Sequence, residues 1–275
     1  MSPIKSFNEA LSFLYARLPM FQRDGKAALH LKLDRIEALM EYLGNPHKKF
    51  KTIHVAGTNG KGSVSHSIAS VLQEAGYVTG LYTSPHLRDF RERIRLNGSL
   101  LPKSNVVDFV NTHRAYIESH RLSFFELTVA LAFEAFASEN VEVAVIEVGM
   151  GGRLDATNVI TPELSVITNI GYDHMEFLGD TLEKIAYEKA GIIKSFVPVV
   201  IGEYQSETFP VFSQVASERK APLLTAWDQL EAQSLAAEID FDLKGAYQAH
   251  NRLTALTALL KLGEIGWEIT PEQIK

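Results

Sequence analysis

The sequence contains no cysteine, and this absence removes several kinds of function at once. Without cysteine there is no disulfide framework, no thiolate metal ligand and no thiol nucleophile. Zinc-ribbon sites and thiol redox motifs are therefore excluded. A chain without disulfides also suits a reducing compartment, so we expect a cytoplasmic protein.

The first twenty residues lack the features of a targeting or membrane segment. Lys5, Glu9 and Arg17 interrupt their apolar positions, which is neither a signal-peptide pattern nor a membrane span. We therefore expect no membrane partner.

Positive charge is in deficit. The formal net charge is -6, with 27 Lys and Arg against 33 Asp and Glu, which argues against general attraction to nucleic acid or anionic lipid. A local basic cluster remains, and charge alone does not decide whether it gathers anionic small molecules or is a solvated face. Its members are Arg88, Arg91, Arg93 and Arg95. We expect small-molecule partners, no nucleic acid and a monomer.

The pattern of apolar residues predicts an α/β protein. With 275 residues, of which 46% are hydrophobic, the chain can form one large α/β domain or two small ones. Short β-branched runs alternate with helical periodicity, which predicts a mostly parallel sheet with helices on both faces. The predicted strands are Thr52–Val55, Val78–Thr83, Val143–Val148, Leu164–Thr168 and Val197–Ile201. The predicted helices are Lys61–Ala75, Phe125–Ser138, Thr181–Ile193, Ser206–Lys220 and Ala246–Leu262.

Other local patterns complete the organisation. Amphipathic helices are predicted over Ser6–Leu18 and Asp34–Leu43, ahead of the main pattern. Asn97-Gly98 between alternating apolar positions predicts a small β-ribbon. Residues 226–245 are ambiguous, because Ala-rich helical spacing runs into the segment Ile239–Leu243, and they stay unassigned. We therefore divide the chain into an N-terminal helical part, residues 1–50, and an α/β core, residues 51–275.

A glycine-rich loop between a predicted strand and a predicted helix indicates a phosphate site. Glycines let backbone N–H groups and the helix N-terminus converge on one anion, and Lys61 adds a positive charge. The loop departs from the G-x-x-x-x-G-K-[ST] pattern, because Val55 replaces the first glycine and Gly62 separates Lys61 from Ser63. A glycine-rich turn with an exposed lysine is the alternative. The predicted phosphate-binding residues are Gly57, Thr58, Asn59, Gly60, Lys61, Gly62 and Ser63.

Five segments of the sequence are distinctive, namely Gly57–Ser63, Tyr82–Leu87, Glu147–Asn158, Asp173-His174 and Glu188–Lys194. In their order and spacing they resemble the folylpolyglutamate synthase / dihydrofolate synthase family, a branch of the Mur-ligase-like superfamily. The resemblance extends over the whole chain and implies a P-loop α/β domain of the Mur-ligase type that binds ATP and Mg²⁺.

The resemblance also implies a metal site at Ser84, Glu147 and His174, and a nucleotide contact at Asn251. From the residues alone, Glu147 ends an apolar run and needs a cation or a hydrogen-bond partner. His174, in contrast, would more often be a structural residue, and magnesium prefers oxygen ligands to imidazole.

The implied catalytic residues are Lys61, Lys189 and His174. Lys189 matches a lysine that the family carries as a carbamate, an acidic group near the metals. Helix-surface statistics alone would instead pair Lys189 with Glu183 or Glu188.

On the substrate side, the resemblance implies pterin contacts. Aromatic rings suit a flat heterocycle, although Phe124 and Phe125 begin a helix and fit the core equally well. The implied contacts are Leu29, His30, Leu31, Ser123, Phe124, Phe125, Glu126, Leu154, Asp155 and Ala156. The sequence departs from the family at Tyr247, Ser123 and Arg91, where histidine, threonine and asparagine are common.

The implied reaction adds L-glutamate to dihydropteroate, to tetrahydrofolate or to both through an acyl phosphate, releasing ADP and phosphate. The family continues beyond the segment that ends at Lys275 into a Rossmann-like C-terminal domain with much of the glutamate site. We expect that domain to be absent here and this chain alone to be inactive. The alternatives are a Mur-type ligase for a nucleotide-linked sugar peptide and an ATP-binding module without ligase activity.

Overall fold

A computed structural model describes residues 2–19, 32–239, 245 and 247–275. The strands that it describes form one sheet of eight, in the order β4-β3-β2-β5-β1-β6-β7-β8. They are β1 Lys51–Ala56, β2 Thr79–Tyr82, β3 Ile94–Leu96, β4 Ser99–Leu100, β5 Val143–Glu147, β6 Leu164–Ile167, β7 Val199–Ile201 and β8 Leu223–Thr225.

Strand β1 lies in the middle of the sheet. It pairs in parallel with β5 on one side and with β6 on the other, so that Ile53 is opposite both Val145 and Leu164. Strands β2, β7 and β8 continue the parallel pattern. Every residue of β5 is buried, as expected for a strand covered on both faces. The predicted mostly parallel sheet is confirmed.

Helices cover both faces of this sheet. Alternate side chains of a strand point to opposite faces, so Val145 of β5 packs in one apolar cluster and Ile146 in another. The helices are α1 Phe7–Arg17, α2 Asp34–Tyr42, α3 Lys61–Glu74, α4 Lys103–Ser119, α5 Phe124–Ser138, α6 Met175–Leu178, α7 Leu182–Ala190, α8 Phe209–Arg219, α9 Leu230–Glu238, α10 Gln248–Glu264 and α11 Pro271–Ile274. Of the helices in the described part of the chain, none is both long and apolar enough to cross a bilayer.

The predicted β-ribbon is present, and it belongs to the main sheet. Strands β3 and β4 are antiparallel and turn at Asn97 and Gly98, whose φ angles are 44° and 74°, as a tight hairpin requires. Strand β3 also pairs with β2, with Leu81 opposite Arg95. The ribbon therefore extends the sheet and places Arg93 just before β3.

Five elements have no counterpart in the sequence prediction, namely α4, α6, α9, α11 and β8. Helix α4 buries Val106, Phe109 and Val110, but asparagine and β-branched residues weaken its helical signal. Strand β8 has only three residues, too few to show a period. Helix α9 occupies part of residues 226–245, which the sequence pattern does not assign.

The predicted helices differ from the observed ones by one to three residues at one end or both. The helix predicted over Thr181–Ile193 ends at Ala190 with Gly191 as its C-cap, and glycine is unfavourable in a helix interior. The helix predicted over Ala246–Leu262 is described from Gln248 to Glu264. Ala246 lies outside the described residues.

Candidate nucleotide and substrate site

The glycine loop joins the carboxyl end of β1 to the N-terminus of α3. Gly57 and Gly60 have φ angles of 147° and 83°, a region that L side chains rarely adopt. A Cβ atom at Gly57 would collide with the Thr168 side chain, and one at Gly60 with the Asn251 side chain. Both positions therefore require glycine, for conformation and for space.

The residues after β6 hold the first part of this loop. Thr58 N donates to the Asn169 carbonyl oxygen at 2.8 Å, and Asn59 N donates to Asn169 Oδ1 at 2.9 Å. Thr168 Oγ1 donates to the Asn59 carbonyl oxygen at 2.6 Å. Because Asn169 occupies the N–H groups of Thr58 and Asn59, the amides left for an anion lie further on. These are the N–H groups of the first turn of α3, which have no partner within the helix.

Two lysines meet beneath the loop. Lys61 Nζ donates to the carbonyl oxygens of Gly57 and Thr58 at 3.0 and 2.9 Å, and Lys189 Nζ donates to that of Gly57 at 2.8 Å. Burial, and then the charge of Lys61, lowers the pKa of Lys189 to about 7. Burial also lowers the pKa of Lys61, against the opposing charges of Glu147 and Asp173.

The helix-surface alternative for Lys189 is wrong. Its side chain faces the loop, and the residue is only 3% exposed. Glu188 instead accepts a hydrogen bond from Arg153 Nη2 at 2.8 Å.

Glu147, the last residue of β5, presents a carboxylate that is almost completely buried. The residue is 4% exposed, and its Oε2 accepts a hydrogen bond from Ser84 N at 3.2 Å. Burial raises the pKa of Glu147 to about 7, although Lys61, the Ser84 N–H and Arg93 oppose that rise. A buried carboxylate with one weak donor is a good ligand for a cation.

The predicted metal ligands differ in how well they suit Mg²⁺. Mg²⁺ commonly takes one or two carboxylates and completes its shell with water and substrate phosphate, so the Ser84 hydroxyl and the Glu147 carboxylate are suitable donors. The His174 side chain is 37% exposed, with Nε2 3.7 Å from Asp173 Oδ1, and imidazole more often binds transition metals. Within the described ranges, no three His, Asp or Glu side chains converge on one metal position. The Mg²⁺ site therefore stays a prediction.

A cavity of about 410 Å³ adjoins Ser84 and His174. All the predicted pterin contacts that the structure describes line this one cavity, namely Ser123, Phe124, Phe125, Glu126, Leu154, Asp155 and Ala156. The predicted contacts Leu29, His30 and Leu31 lie outside the described residues.

Ser123 and Glu126, which line the cavity, also form a helix cap. The Ser123 hydroxyl accepts from Glu126 N at 3.1 Å, and Glu126 Oε2 accepts from Ser123 N at 2.7 Å. This reciprocal pair caps the N-terminus of α5. It fixes the entry of the helix that places Phe124 and Phe125 in the cavity wall.

Asp155 is held by a buried network that the sequence did not reveal. Its carboxylate accepts from Met150 N and Thr157 N, each at 2.9 Å, and from the Thr157 hydroxyl. His54 Nε2 is 2.9 Å from that hydroxyl. Burial lowers the pKa of His54 to about 3, so its ring is neutral. Because the hydroxyl proton goes to Asp155, His54 Nε2 is the donor to Thr157.

The structure also brings the predicted nucleotide contact Asn251 to the loop. It lies against Gly60, and its Nδ2 donates to Gln248 Oε1 at 2.8 Å. Sequence reasoning missed Asn169 and His54. Asn169 follows directly after a predicted strand, the usual place for site residues in open α/β sheets, and could have been found by that rule.

The fold and the glycine loop define the class of α/β proteins that have a glycine-rich loop between a central parallel strand and a helix, and similarity to known families narrows this class. Residues 55–259 match the Mur ligase middle domain family. The chain is 41% identical over 230 residues to the dihydrofolate synthase/folylpolyglutamate synthase of Bacillus subtilis, a stretch that covers 81% of this chain and 52% of that protein. It is also 36% identical to the folylpolyglutamate synthase of Lacticaseibacillus casei, over 98% of this chain and 67% of that protein.

A solved structure agrees with these similarities. A folylpolyglutamate synthase complex with AMPPCP and folate superposes with a TM-score of 0.86 and 33% identity, covering 98% of this chain and 70% of that one. The chain therefore belongs to the folylpolyglutamate synthase/dihydrofolate synthase branch of the Mur ligase family. It spans about half the length of the Bacillus subtilis relative.

Proposed function

We propose that this chain is the ATP-binding part of a ligase that adds L-glutamate to dihydropteroate, to tetrahydrofolate or to both. The proposal rests on the proximity of three features. The glycine loop, the buried Glu147 and the cavity formed by the predicted pterin contacts lie side by side. The complex of a similar synthase with AMPPCP and folate supports the same pair of ligands.

The loop and Lys61 would bind the triphosphate. In the structure Lys61 Nζ donates to two carbonyl oxygens of its own loop, which are neutral acceptors. A phosphate oxygen is a stronger, charged acceptor, so we expect Lys61 to exchange at least one carbonyl for it. The first turn of α3 adds N–H groups and the positive end of the helix dipole. Asn251, beside Gly60, would contact the nucleotide.

Ser84 and Glu147, with His174 nearby, would hold Mg²⁺. The bound ion would neutralise charge on the transferring phosphate. Glu147 must be ionised to serve as a ligand, and a pKa of about 7 leaves much of it ionised at neutral pH. A cation beside its carboxylate would lower that pKa.

In the proposed chemistry, an oxygen of the substrate carboxylate attacks the γ-phosphorus of ATP, and the bond from that phosphorus to ADP breaks. The glutamate α-amino group then attacks the acyl carbon and releases phosphate. Because such transfers depend mainly on positioning and charge neutralisation, the residues named here bind and orient the reactants. We further propose that Lys189 carries a carbamate.

An assay with mass-spectrometric detection tests this proposal. The protein is incubated with Mg-ATP, L-glutamate and either dihydropteroate or tetrahydrofolate. We expect a product heavier by one glutamyl residue, together with ADP, wherever the glutamate site is complete. Residues 1–275 alone should bind ATP without turnover. Ligation of a sugar-linked peptide instead of either pteridine would favour the Mur-type alternative, and glutamate-dependent ADP release by residues 1–275 would show that the inactivity prediction is wrong.

A further inference from the structure

Arg93 is a buried cation in the wall of the cavity. The residue is 4% exposed and lines the same cavity as Ser84 and Phe124. It forms no ion pair with any residue that the structure describes. Arginine stays protonated in proteins, and a buried charge without a counterion is costly. The position therefore favours an anion that arrives from the cavity.

The side chains in direct contact with Arg93 are neutral and fix the plane of its guanidinium group. Nε donates to His86 Nδ1 at 2.8 Å, so that nitrogen is unprotonated. The guanidinium carbon lies 5.5 Å from the centre of the Phe124 ring, and the Tyr82 hydroxyl is a further neutral acceptor. A guanidinium has five N–H donors. The two acceptors, His86 Nδ1 and the Tyr82 hydroxyl, therefore leave N–H groups for a ligand.

The other described basic residues that line the cavity are either exposed or paired with an acidic residue. Lys32 is exposed to solvent, and Arg153 is paired with Glu188. Arg93 also lies close enough to Glu147 for its charge to lower the pKa of that carboxyl group. It is thus on the side of the cavity nearest the candidate metal ligands.

We propose that Arg93 binds the carboxylate of the pteroate or folate substrate, the group to be phosphorylated. This inference rests on the proposed function. Two N–H groups of a guanidinium match the two oxygens of a carboxylate. When one of these oxygens forms its bond to the γ-phosphorus and ADP leaves, Arg93 keeps the other oxygen oriented and offsets charge on the acyl phosphate. A neutral analogue of the substrate would lose this interaction.

Calorimetric titration of the chain with dihydropteroate and with its carboxamide analogue tests the proposal. The wild-type chain should bind the acid at least about tenfold more tightly than the amide, the range for a hydrogen bond to a charged group. Arg93→Gln should remove this preference, and Arg93→Lys should keep part of it. Arg91→Gln is the matched control, because Arg91 lies two residues away and pairs with Asp89 at 2.8 Å. It should keep the wild-type preference.

ATP affinity and thermal unfolding, measured on every variant, show whether each one folds. An Arg93→Gln variant that binds ATP normally and still prefers the acid overturns the role of Arg93 and leaves the proposed function intact. If that variant does not fold, equal binding of acid and amide by the wild type overturns the role instead. A wild-type chain that binds ATP but neither pteridine overturns the substrate assignment and this inference with it.

Discussion

Lys61 and Lys189 donate hydrogen bonds to the same acceptor, the carbonyl oxygen of Gly57, at 3.0 and 2.8 Å. Two ammonium groups this close repel each other in a buried site. Lys189 shows the effect in a pKa lowered to about 7, through burial first and the charge of Lys61 second. A nucleotide would add negative charge to that which Glu147 and Asp173 already supply.

We expect Lys61→Ala to weaken ATP binding by about 10- to 100-fold, because charge-assisted hydrogen bonds contribute about 1.5 to 3 kcal/mol. Lys48→Ala is the control, since Lys48 is exposed and precedes β1 at the opposite end of that strand. Calorimetric titration with ATP measures both variants. Equal losses in the two would indicate general electrostatic attraction and contradict a specific role for Lys61.

Lys189→Met should stabilise the protein at and below pH 7, and its advantage should shrink as the pH rises. The folded-state pKa of Lys189 is about 7 against an ordinary value of 10.5. Between these values the unfolded chain binds the extra proton, so wild-type stability rises with pH across this window. At about 1.4 kcal/mol per pKa unit, the advantage below pH 7 has an upper limit of roughly 5 kcal/mol. Urea unfolding of both proteins from pH 6 to about 10 measures it, and a constant difference would contradict a depressed pKa.

Lys189 should also react with carbon dioxide. Only a neutral amine forms a carbamate, with a new N–C bond and release of one proton, and a pKa of about 7 leaves much of Lys189 neutral near pH 7.5. We expect a carbamate signal in carbon NMR after incubation with labelled bicarbonate. Lys184→Met is the control on the same helix, because Asp180 raises the pKa of Lys184. Persistence of the signal in Lys189→Met would assign it to another amine.

Gly60→Ala should reduce ATP affinity by tenfold or more, whereas Gly76→Ala should leave it unchanged. Both glycines have positive φ angles, 83° and 89°, so each substitution costs about 1 to 2 kcal/mol of backbone strain. Only at Gly60 does the added methyl group meet a neighbour, the Asn251 side chain, while Gly76 has open space. ATP titration and thermal unfolding of the two variants separate strain from displacement of the loop. Equal ATP affinities of the two variants would contradict a role for the conformation of the glycine loop in nucleotide binding.

The parallel sheet could be predicted from the sequence because its central strands are continuous apolar runs that alternate with amphipathic helices. Strand β5, buried along its whole length, is the clearest case. Strand β8 could not be predicted, because three half-buried residues carry no period and its place depends on pairing with β7.

The candidate site was predictable only in part, for a related reason. The glycine loop follows β1 directly and Glu147 is the last residue of β5, so local sequence indicates both. Lys189 and Lys61 share an acceptor although they are far apart in the chain. The lack of a counterion for Arg93 among the described residues is a property of packing. Neither is encoded in a short motif.

The most direct test of the account is a crystal structure of this chain with Mg²⁺, AMPPCP and dihydropteroate. We predict phosphates between the first turn of α3 and Lys61, a metal ion on Ser84 and Glu147, and the pteridine ring between Phe125 and Asp155. A nucleotide bound elsewhere, or a Glu147 carboxylate facing only apolar neighbours with the glycine loop empty, would contradict it.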